Sequence, residues 1–163
     1  MFIQTGYLSI DYSKACIIGY PTVVVDIDGT IAHVGERIKY LHQTPKDWDS
    51  FYAECFDDKP IQEIIDLLIS ISHKYQFIFC TGRRETVRNQ TEKWLDKHGL
   101  KGMLLMRADN DYRHDTEVKP EQLKSLDLIT HDQIKFILED RNVMVAKWRE
   151  LGYKCLHVAD GNF

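Results

Sequence analysis

Two aspartates in the segment Asp26-Ile-Asp-Gly-Thr30 have the types and spacing needed for nucleophilic and acid–base chemistry. They follow the β-branched run Val23–Val25, which predicts a buried strand, and side chains two residues apart at its end can face one crevice. Close carboxylates repel, so one tends to ionise while the other keeps a proton. This pattern suits Asp26 as a nucleophile that forms an aspartyl-phosphate and Asp28 as general acid and then base. An Asp-Gly turn explains the segment alone nearly as well.

A second set of residues has the chemistry to hold a phosphate group. Thr81, Gly82 and Arg83 follow the strand-like segment Gln76–Cys80. The Thr81 hydroxyl and the backbone N–H groups of the next two residues can donate to phosphate oxygens, and Lys119 supplies a compact positive charge. Taken alone, Lys119 is equally well a solvated surface lysine.

An acidic pair follows the fourth predicted strand and completes a candidate metal site. Glu139 and Asp140 come directly after Ile134–Leu138. Asp140 can join Asp26 and the carbonyl of Asp28 in an oxygen-rich Mg²⁺ shell, although hard oxygen ligands accept Mn²⁺ as well. The alternative for Asp140 is a helix N-cap.

The elements that position these residues alternate between strand and helix patterns. Further strands are predicted at Met103–Met106, followed by Arg107, and at Cys155–Val158. Helices are predicted over 60–74, around Val87, Trp94 and Leu95, from Pro120 through Leu123, Leu126 and Ile129, and over 143–151. Lys119 is expected to open the third of them. The order predicts a mainly parallel α/β sheet with helices on both faces, and ligands in such sheets bind beyond the carboxyl ends of the strands.

The 163 residues fit a single domain, 1–163, that contains a small insertion. Residues 31–59 lack the strand–helix rhythm, and we expect them to cover the site. A helix start at Thr44–Asp47 leads into the aromatic residues Trp48, Phe51, Tyr52 and Phe56. We expect most of these rings to pack against the sheet, with base stacking as the alternative. Residues 1–20 are predicted to form an edge hairpin.

Composition narrows the class of protein. The formal charge of −4 argues against a general nucleic-acid coat or a membrane-surface binder. The four cysteines form no CxxC pair, so neither a zinc site nor a disulfide framework is expected. The same pattern predicts a cytoplasmic location. No apolar run reaches membrane-spanning length, and no G-x-x-x-x-G-K-[ST] segment occurs, so neither a membrane anchor nor an ATP site is predicted.

Four segments together resemble the motifs of the haloacid-dehalogenase (HAD) superfamily. Asp26-x-Asp-Gly-Thr30 resembles the first motif, Thr81-Gly-Arg the second, Lys119 the third and Glu139-Asp140 the fourth, in order over residues 22–160. The resemblance implies a three-layer α/β/α Rossmann-like core with a minimal cap. It also implies Asp26 as nucleophile, Asp28 as acid and base, Thr81 on phosphate, Asp140 on magnesium, and Lys119 holding the phosphoaspartate. Thr30 and Gly82 then belong to the substrate-binding set, and Asp26 and Asp28 to the metal set.

A closer resemblance is to the phosphatase domain of phage-type polynucleotide kinase/3′-phosphatases. It is carried by the segments 80–85, 106–107, 115–119, 138–148 and 158–163. It implies removal of 3′-phosphates from nucleic-acid ends, with Arg83 and Arg107 on the substrate phosphate. The insertion at 31–59 differs from that family's.

Three functions stay open at this point, and the first is a phosphatase that acts on a nucleic-acid 3′ end. A short insertion predicts an open crevice, which favours a polymer end over a small molecule enclosed under a large cap. The alternative within the same chemistry is a nucleoside monophosphate phosphatase. A phosphoaccepting signalling module is the alternative from another class, but such receiver domains place their acidic pair on a different strand from the phosphorylated aspartate. The Asp26-x-Asp28 arrangement therefore favours turnover.

Overall fold

The computed structural model describes residues 19–127 and 129–161. The elements in chain order are β1 (Thr22–Val25), α1 (Ile38–Leu41), α2 (Trp48–Ala53), α3 (Gln62–Ile71), β2 (Gln76–Arg84), α4 (Arg88–Lys97), β3 (Met103–Arg107), α5 (Asp115–Lys124), β4 (Ile134–Arg141), α6 (Asn142–Glu150) and β5 (Cys155–Gly161). Within these ranges the strands form one parallel sheet in the order β3-β2-β1-β4-β5. The predicted α/β class and parallel sheet are confirmed.

The alternation of side chains along β1 divides the core into two layers. Val23 and Val25 pack with α3 and α4 on one face of the sheet, whereas Val24 packs with α5 and α6 on the other. All three valines are buried, as expected for a central strand of a parallel sheet that is covered on both faces. The three-layer arrangement follows from this pattern.

The position of β1 explains where a site can form. The chain leaves β1 toward β2 and β3 on one side and returns to β4 and β5 on the other side. The strand order therefore reverses at β1, and the loops beyond its carboxyl end diverge to leave a crevice. Residues that follow β1 face the ends of β2 and β4 across this crevice.

Two strands continue further than the sequence predicts. Strand β2 extends through Arg84 and β4 through Arg141, past the predicted ends at Cys80 and Leu138. The pairing register shifts between Cys80 and Arg84 in β2 and between Glu139 and Arg141 in β4. Such bulges bend a strand and redirect its side chains while the strand continues. The polar motifs thus lie within the last residues of the strands rather than after them.

The predicted start of α5 is wrong. Lys119 does not open the helix and Pro120 does not lie near its start, because α5 begins at Asp115. The helix also ends at Lys124, so Leu126 and Ile129 follow it rather than belong to it.

The physical reason is a cap that the sequence pattern hides. The His114 ring accepts a hydrogen bond of 3.3 Å from the Thr116 N–H and so caps the helix one turn before Pro120. Pro120 cannot donate to the carbonyl of Thr116, but it is buried against the sheet layer and the helix continues through it. The earlier start places Asp115 and Lys119 one turn apart on the same helix face.

The stretch 31–59 folds beside the crevice as two short helices with a cluster of its own. The two legs of the stretch pair, because the His33 N–H donates to the Lys59 carbonyl over 2.8 Å. Its buried cluster also includes Val87 and Met106 from the main domain. The insertion is therefore packed onto the ends of the strands.

The aromatic residues of the insertion divide into two groups. Phe51 and Tyr52 are buried, whereas Trp48 and Phe56 are each 36% exposed, so packing holds for half of the set rather than for most of it. The predicted helix start is confirmed, because the Asp47 carboxylate caps α2 by accepting from the Ser50 N–H over 3.0 Å.

The edge hairpin predicted for residues 1–20 lies almost wholly outside the described residues. No helix in the described ranges combines the length and apolarity needed to cross a membrane.

Candidate active site

Residues from three strand ends, α2 and α5 surround a pocket of about 40 Å³. Its lining consists of Asp26, Asp28, Trp48, Phe51, Tyr52, Thr81, Gly82, Asp115, Lys119 and Arg141. Five of the predicted site residues are therefore brought together here: Asp26, Asp28, Thr81, Gly82 and Lys119. The other four predicted site residues do not line the pocket and lie behind or beside it: Thr30, Arg83, Arg107 and Asp140.

A buried lysine joins two of the acidic residues. The Lys119 Nζ lies 2.6 Å from Asp26 Oδ1 and 3.0 Å from Glu139 Oε2. Both ion pairs are almost completely removed from solvent. Because leaving a buried charge unpaired is costly, Lys119 and the two carboxylates hold one another in place. The solvated alternative for Lys119 is excluded.

Thr30 lies behind this pair and links two carboxylates. Its Oγ1 is 3.2 Å from Asp26 Oδ2 and 3.2 Å from Asp140 Oδ1, and it is fully buried. A hydroxyl has one hydrogen, so it donates to one of these oxygens at a time. Thr30 therefore positions the carboxylates in this structure.

The acidic cluster carries more negative charge than Lys119 neutralises. Oxygens of Asp26, Glu139 and Asp140 lie within 4.8 Å of one another, and all three residues are buried. Burial and the neighbouring Glu139 raise the pKa of Asp26 well above its usual range, against the opposing effect of Lys119. Burial and Glu139 likewise raise the pKa of Asp140 to about 7. Three carboxylates against one ammonium leave a site that favours an added cation.

The donor set fits a hard divalent cation. Glu139 Oε1 accepts from the backbone N–H groups of Asp140 and Arg141, each over 3.2 Å, and its Oε2 accepts from Lys119. Both oxygens of Glu139 therefore have protein donors, and the Asp26 carboxylate likewise contacts Lys119 and Thr30. Carboxylate oxygens are what Mg²⁺ selects.

Two glycines make room for the Asp140 carboxylate. A Cβ at Gly29 would lie 2.1 Å from Asp140 Oδ2, and one at Gly161 would lie 2.2 Å from the same atom. Gly29 also has φ +86°, a conformation that other residues rarely adopt. The carboxylate is thus held in a cradle that a side chain at either position would fill.

Asp28 faces two arginines. Its Oδ1 lies 2.7 Å from Arg37 Nη2 and 2.7 Å from Arg83 Nη2, and its Oδ2 lies 3.0 Å from Arg83 Nε. Arg83 is fully buried behind Asp28. The arrangement with Arg83 is bidentate, which is the strongest geometry for this pair.

The electrostatic order of the two aspartates differs from the sequence-based expectation. Burial alone would raise the pKa of Asp28, but Arg83 and Arg37 outweigh it and hold this pKa well below its usual range. Asp28, expected to be the protonated partner, therefore has the lower pKa of the two aspartates in this structure. The reason is that these two guanidinium groups, rather than Asp26, dominate its surroundings.

Arg37 and Asp58 also surround Asp28, although the sequence did not predict them as site residues. Asp58 accepts from Arg37 Nε over 2.7 Å and from Arg83 Nη2 over 2.9 Å, so it holds the two arginines that face Asp28. Both residues belong to the insertion, where isolated charged residues look solvent-exposed. No spacing pattern in the sequence would have found them.

Asp115 was also missed, and it joins two arginines at the rim of the pocket. Arg107 Nη2 and Arg141 Nη1 both donate to its carboxylate. Burial would raise the pKa of Asp115, but Lys119, Arg141 and Arg107 lower it below its usual value. It lies four residues before Lys119 on α5, a relation that appears only once the true start of this helix is known.

The remaining donors of Arg107 bind the backbone. They reach the carbonyls of Gly82 over 3.2 Å, Asp111 over 3.0 Å and Arg113 over 2.7 Å. In this structure Arg107 therefore orders the loop that follows β3, and its contact with a substrate phosphate stays a prediction.

A hydroxyl of α2 also fastens the insertion to the site. The Tyr52 O–H donates to the Gly82 carbonyl over 3.0 Å. This bond ties α2 to the carboxyl end of β2.

Comparisons with known proteins find relatives that share sequence and fold with this chain. A chain of the Pnkp1/Rnl/Hen1 complex is 29% identical, with a TM-score of 0.72, over 96% of this chain and 52% of that chain. A chain of the Pnkp1/Rnl/Hen1 RNA repair complex is 27% identical, with a TM-score of 0.75, over 99% of this chain and 48% of that one. The present chain thus spans about half the length of these relatives.

A more distant structure has the same fold. A haloacid dehalogenase-like hydrolase from Streptococcus pneumoniae superposes with a TM-score of 0.58 at 16% identity, over 85% of this chain and 84% of that one.

The family itself is defined by sequence. The model of the polynucleotide kinase PNKP phosphatase domain, a HAD-type family, matches residues 20–163, which include every residue of the pocket. The chain therefore belongs to the polynucleotide kinase PNKP phosphatase domain family, a group of HAD-type phosphoric monoester hydrolases.

Proposed function

We propose that this protein removes the 3′-phosphate from nucleic-acid ends, with magnesium as cofactor and through an aspartyl-phosphate on Asp26. The observation that carries the proposal is the match to the PNKP phosphatase domain over residues 20–163. The pocket of about 40 Å³ that Asp26 lines supports it. Relatives described as part of an RNA repair complex support a nucleic-acid end as substrate.

In this proposal the pocket binds the phosphate through two groups, the Thr81 hydroxyl and the Lys119 ammonium. The Thr81 oxygen accepts from the Arg83 N–H over 3.2 Å, so its own hydrogen can donate to a phosphate oxygen. Lys119 offers an ammonium 2.6 Å from the Asp26 carboxylate. Such fixed donors stabilise the charge that a phosphoryl group spreads over its oxygens in the transition state.

The reaction has two steps. Asp26 attacks phosphorus, the bond to the 3′ oxygen breaks, and Asp28 gives a proton to the departing oxygen. Water then attacks the phosphorus of the phosphoaspartate while Asp28 takes its proton, and the bond between Asp26 and phosphorus breaks to release inorganic phosphate and the free carboxylate. The ion pairs with Arg37 and Arg83 favour the ionised Asp28 that the second step uses. We expect binding of the substrate phosphate to loosen these pairs before the first step.

Asp26 and Asp140 would hold the magnesium ion. When bound, the ion supplies positive charge against the phosphate oxygens and against the acidic cluster. Glu139 keeps Lys119 and the adjacent backbone in place beside them.

Phosphate release with Mg²⁺ tests the proposal. The substrates are one oligonucleotide carrying a 3′-phosphate, the same oligonucleotide carrying a 5′-phosphate, and free 3′- and 5′-mononucleotides, each as RNA and DNA. We expect the highest kcat/KM for a 3′-phosphorylated oligonucleotide.

Two other results would replace the proposal. A preference for a free nucleotide would make the protein a nucleotidase with the same Asp26 chemistry. A stable phosphoprotein that releases no phosphate would make it a phosphoaccepting module.

The remaining expectations form part of the proposal. Residues 1–163 constitute one phosphatase domain, and 31–59 act as its small cap. The cysteines within the described ranges, Cys55, Cys80 and Cys155, are free and buried, which supports a reducing, cytoplasmic setting.

A further inference from the structure

The pocket at Asp26 is too small for a whole nucleotide. Its volume is about 40 Å³, whereas sites that enclose an organic ligand have roughly 300–1,000 Å³. Only the phosphate group of a substrate fits there. The sugar and base must therefore lie outside, in whatever adjoins the pocket.

A groove of about 330 Å³ adjoins the pocket and shares four lining residues with it. The shared residues are Trp48, Tyr52, Asp115 and Arg141. At its far end the groove meets an outer hollow of about 590 Å³, with Asp111, Tyr112 and Arg113 lining both. Pocket, groove and hollow thus form a continuous path that begins at the nucleophile.

Two aromatic rings lie along this path with exposed surface. Trp48 is 36% exposed and lines both the pocket and the groove. Tyr112 is 77% exposed and lines both the groove and the outer hollow. Exposed aromatic side chains in succession along a groove are the usual platforms for successive unpaired bases.

A cationic group accompanies each ring. Lys46 Nζ lies 5.6 Å from the centre of the Trp48 ring, and the guanidinium carbon of Arg84 lies 5.2 Å from the centre of the Tyr112 ring. Arg84 pairs with Asp49, but that carboxylate is 87% exposed, and pairs of this kind exchange readily for a phosphate. Within the described residues the Arg84 Nε has no hydrogen-bond partner.

The groove is also more basic than the chain as a whole. Its lining contains five cationic side chains and two carboxylates, although the chain has a formal charge of −4. A local excess of positive charge beside exposed rings is the combination that single-stranded nucleic acids require.

We propose that the groove binds the last two nucleosides of an unpaired 3′ end. The terminal base stacks on Trp48, the next base stacks on Tyr112, and Lys46 and Arg84 face the phosphodiester between them. This inference rests on the proposed function and adds to it the requirement for a single-stranded end and a recognised length of two nucleotides.

A substrate series of increasing length tests it. The substrates are a base-free sugar 3-phosphate, a 3′-mononucleotide and a dinucleotide with a 3′-phosphate, each assayed with the wild type, Trp48→Ala and Tyr112→Ala. We expect Trp48→Ala to lower kcat/KM by about 10-fold for both substrates that carry a base, relative to the base-free one. Tyr112→Ala should lower the ratio of kcat/KM for the dinucleotide over the mononucleotide by about 10-fold.

The controls separate stacking from damage to the fold. Phe56→Ala removes a ring from the same insertion with the same 36% exposure, but Phe56 packs near Lys97 and is not part of the groove lining. It should leave all three kcat/KM values unchanged. Tyr112→Phe keeps the ring and should keep the length preference. Thermal melting of each variant is measured alongside.

The outcomes distinguish this inference from the proposed function. A wild type that prefers the 3′-phosphorylated dinucleotide, with neither alanine variant changing the ratios, would overturn the groove assignment and leave the 3′-phosphatase intact. A wild type that hydrolyses the base-free phosphate as well as the dinucleotide would overturn both.

Discussion

The pocket and the groove differ in how far their side chains are exposed to solvent. Polar side chains of the pocket come mainly from strand ends and α5, and its charges are paired and buried, as with Lys119 and Asp26. Groove residues come from the insertion and the loop after β3, together with charged residues at three strand ends and the start of α5. The outer rings of the groove, Trp48 and Tyr112, and several of its charges are exposed. Rigid burial suits chemistry, because preorganised charges stabilise a transition state without rearranging. Exposure suits recognition of a polymer that must enter and leave.

The largest effect should come from the pocket. Asp26→Asn removes the nucleophile and should reduce phosphate release to background for every substrate, whatever its length. The fold should persist, because the change relieves repulsion from Glu139 and Asp140. Steady-state phosphate release and thermal melting measure the two effects. Near-normal activity of Asp26→Asn would mean that this pocket is not the catalytic site.

Asp28→Asn should have the next largest effect. Loss of a general acid and base should lower kcat by roughly 10²–10⁴-fold. The loss should be the same for a mononucleotide and for an oligonucleotide, because Asp28 belongs to the pocket and not to the groove. A loss confined to oligonucleotides would assign Asp28 to substrate binding. The comparison requires kcat for both substrates with wild type and variant.

Gly161→Ala should disturb the metal site without removing a ligand. The new Cβ would lie 2.2 Å from Asp140 Oδ2, so the carboxylate must move. The Mg²⁺ concentration for half-maximal activity should rise on the order of 10-fold, as for other changes in the support of a metal ligand. A magnesium titration of activity measures it, with melting in EDTA as the control for stability. An unchanged titration would mean that Asp140 is not a ligand.

Tyr52→Phe should have the smallest effect, at the boundary between the two regions. It removes the 3.0 Å bond from Tyr52 to the Gly82 carbonyl, which keeps Arg107 as a second donor. The free energy of unfolding should fall by about 1 kcal/mol, and kcat/KM should fall only a few-fold. Denaturant unfolding tests the first effect. Tyr40→Phe, which removes an exposed hydroxyl, is the matched control.

The same contrast explains what could be predicted from sequence. Strands and their order follow from apolar runs such as Val23–Val25, and the strand-end residues Asp26, Thr81 and Asp140 follow from those strands. The pairing of Lys119 with Asp26 was implied by the motifs, but the start of α5 was not, because the His114 cap competes with the stronger signal of Pro120.

Residues that act through distant contacts could not be predicted. Arg37 and Asp58 reach Asp28 only after the insertion folds, and an isolated arginine in sequence carries no sign of burial. Their presence reverses the expected protonation of Asp28. Local spacing fixes which side chains share an element, whereas the charge state depends on neighbours brought in by tertiary structure.

One measurement tests the central claim most directly. Wild-type protein is mixed with Mg²⁺ and an oligonucleotide that carries a radiolabelled 3′-phosphate, quenched in acid during turnover, and digested to locate the label. We predict label on the peptide that contains Asp26, at a level that decays as the substrate is consumed, and none in the Asp26→Asn variant. Label on another residue, or full phosphate release by Asp26→Asn, would contradict the account.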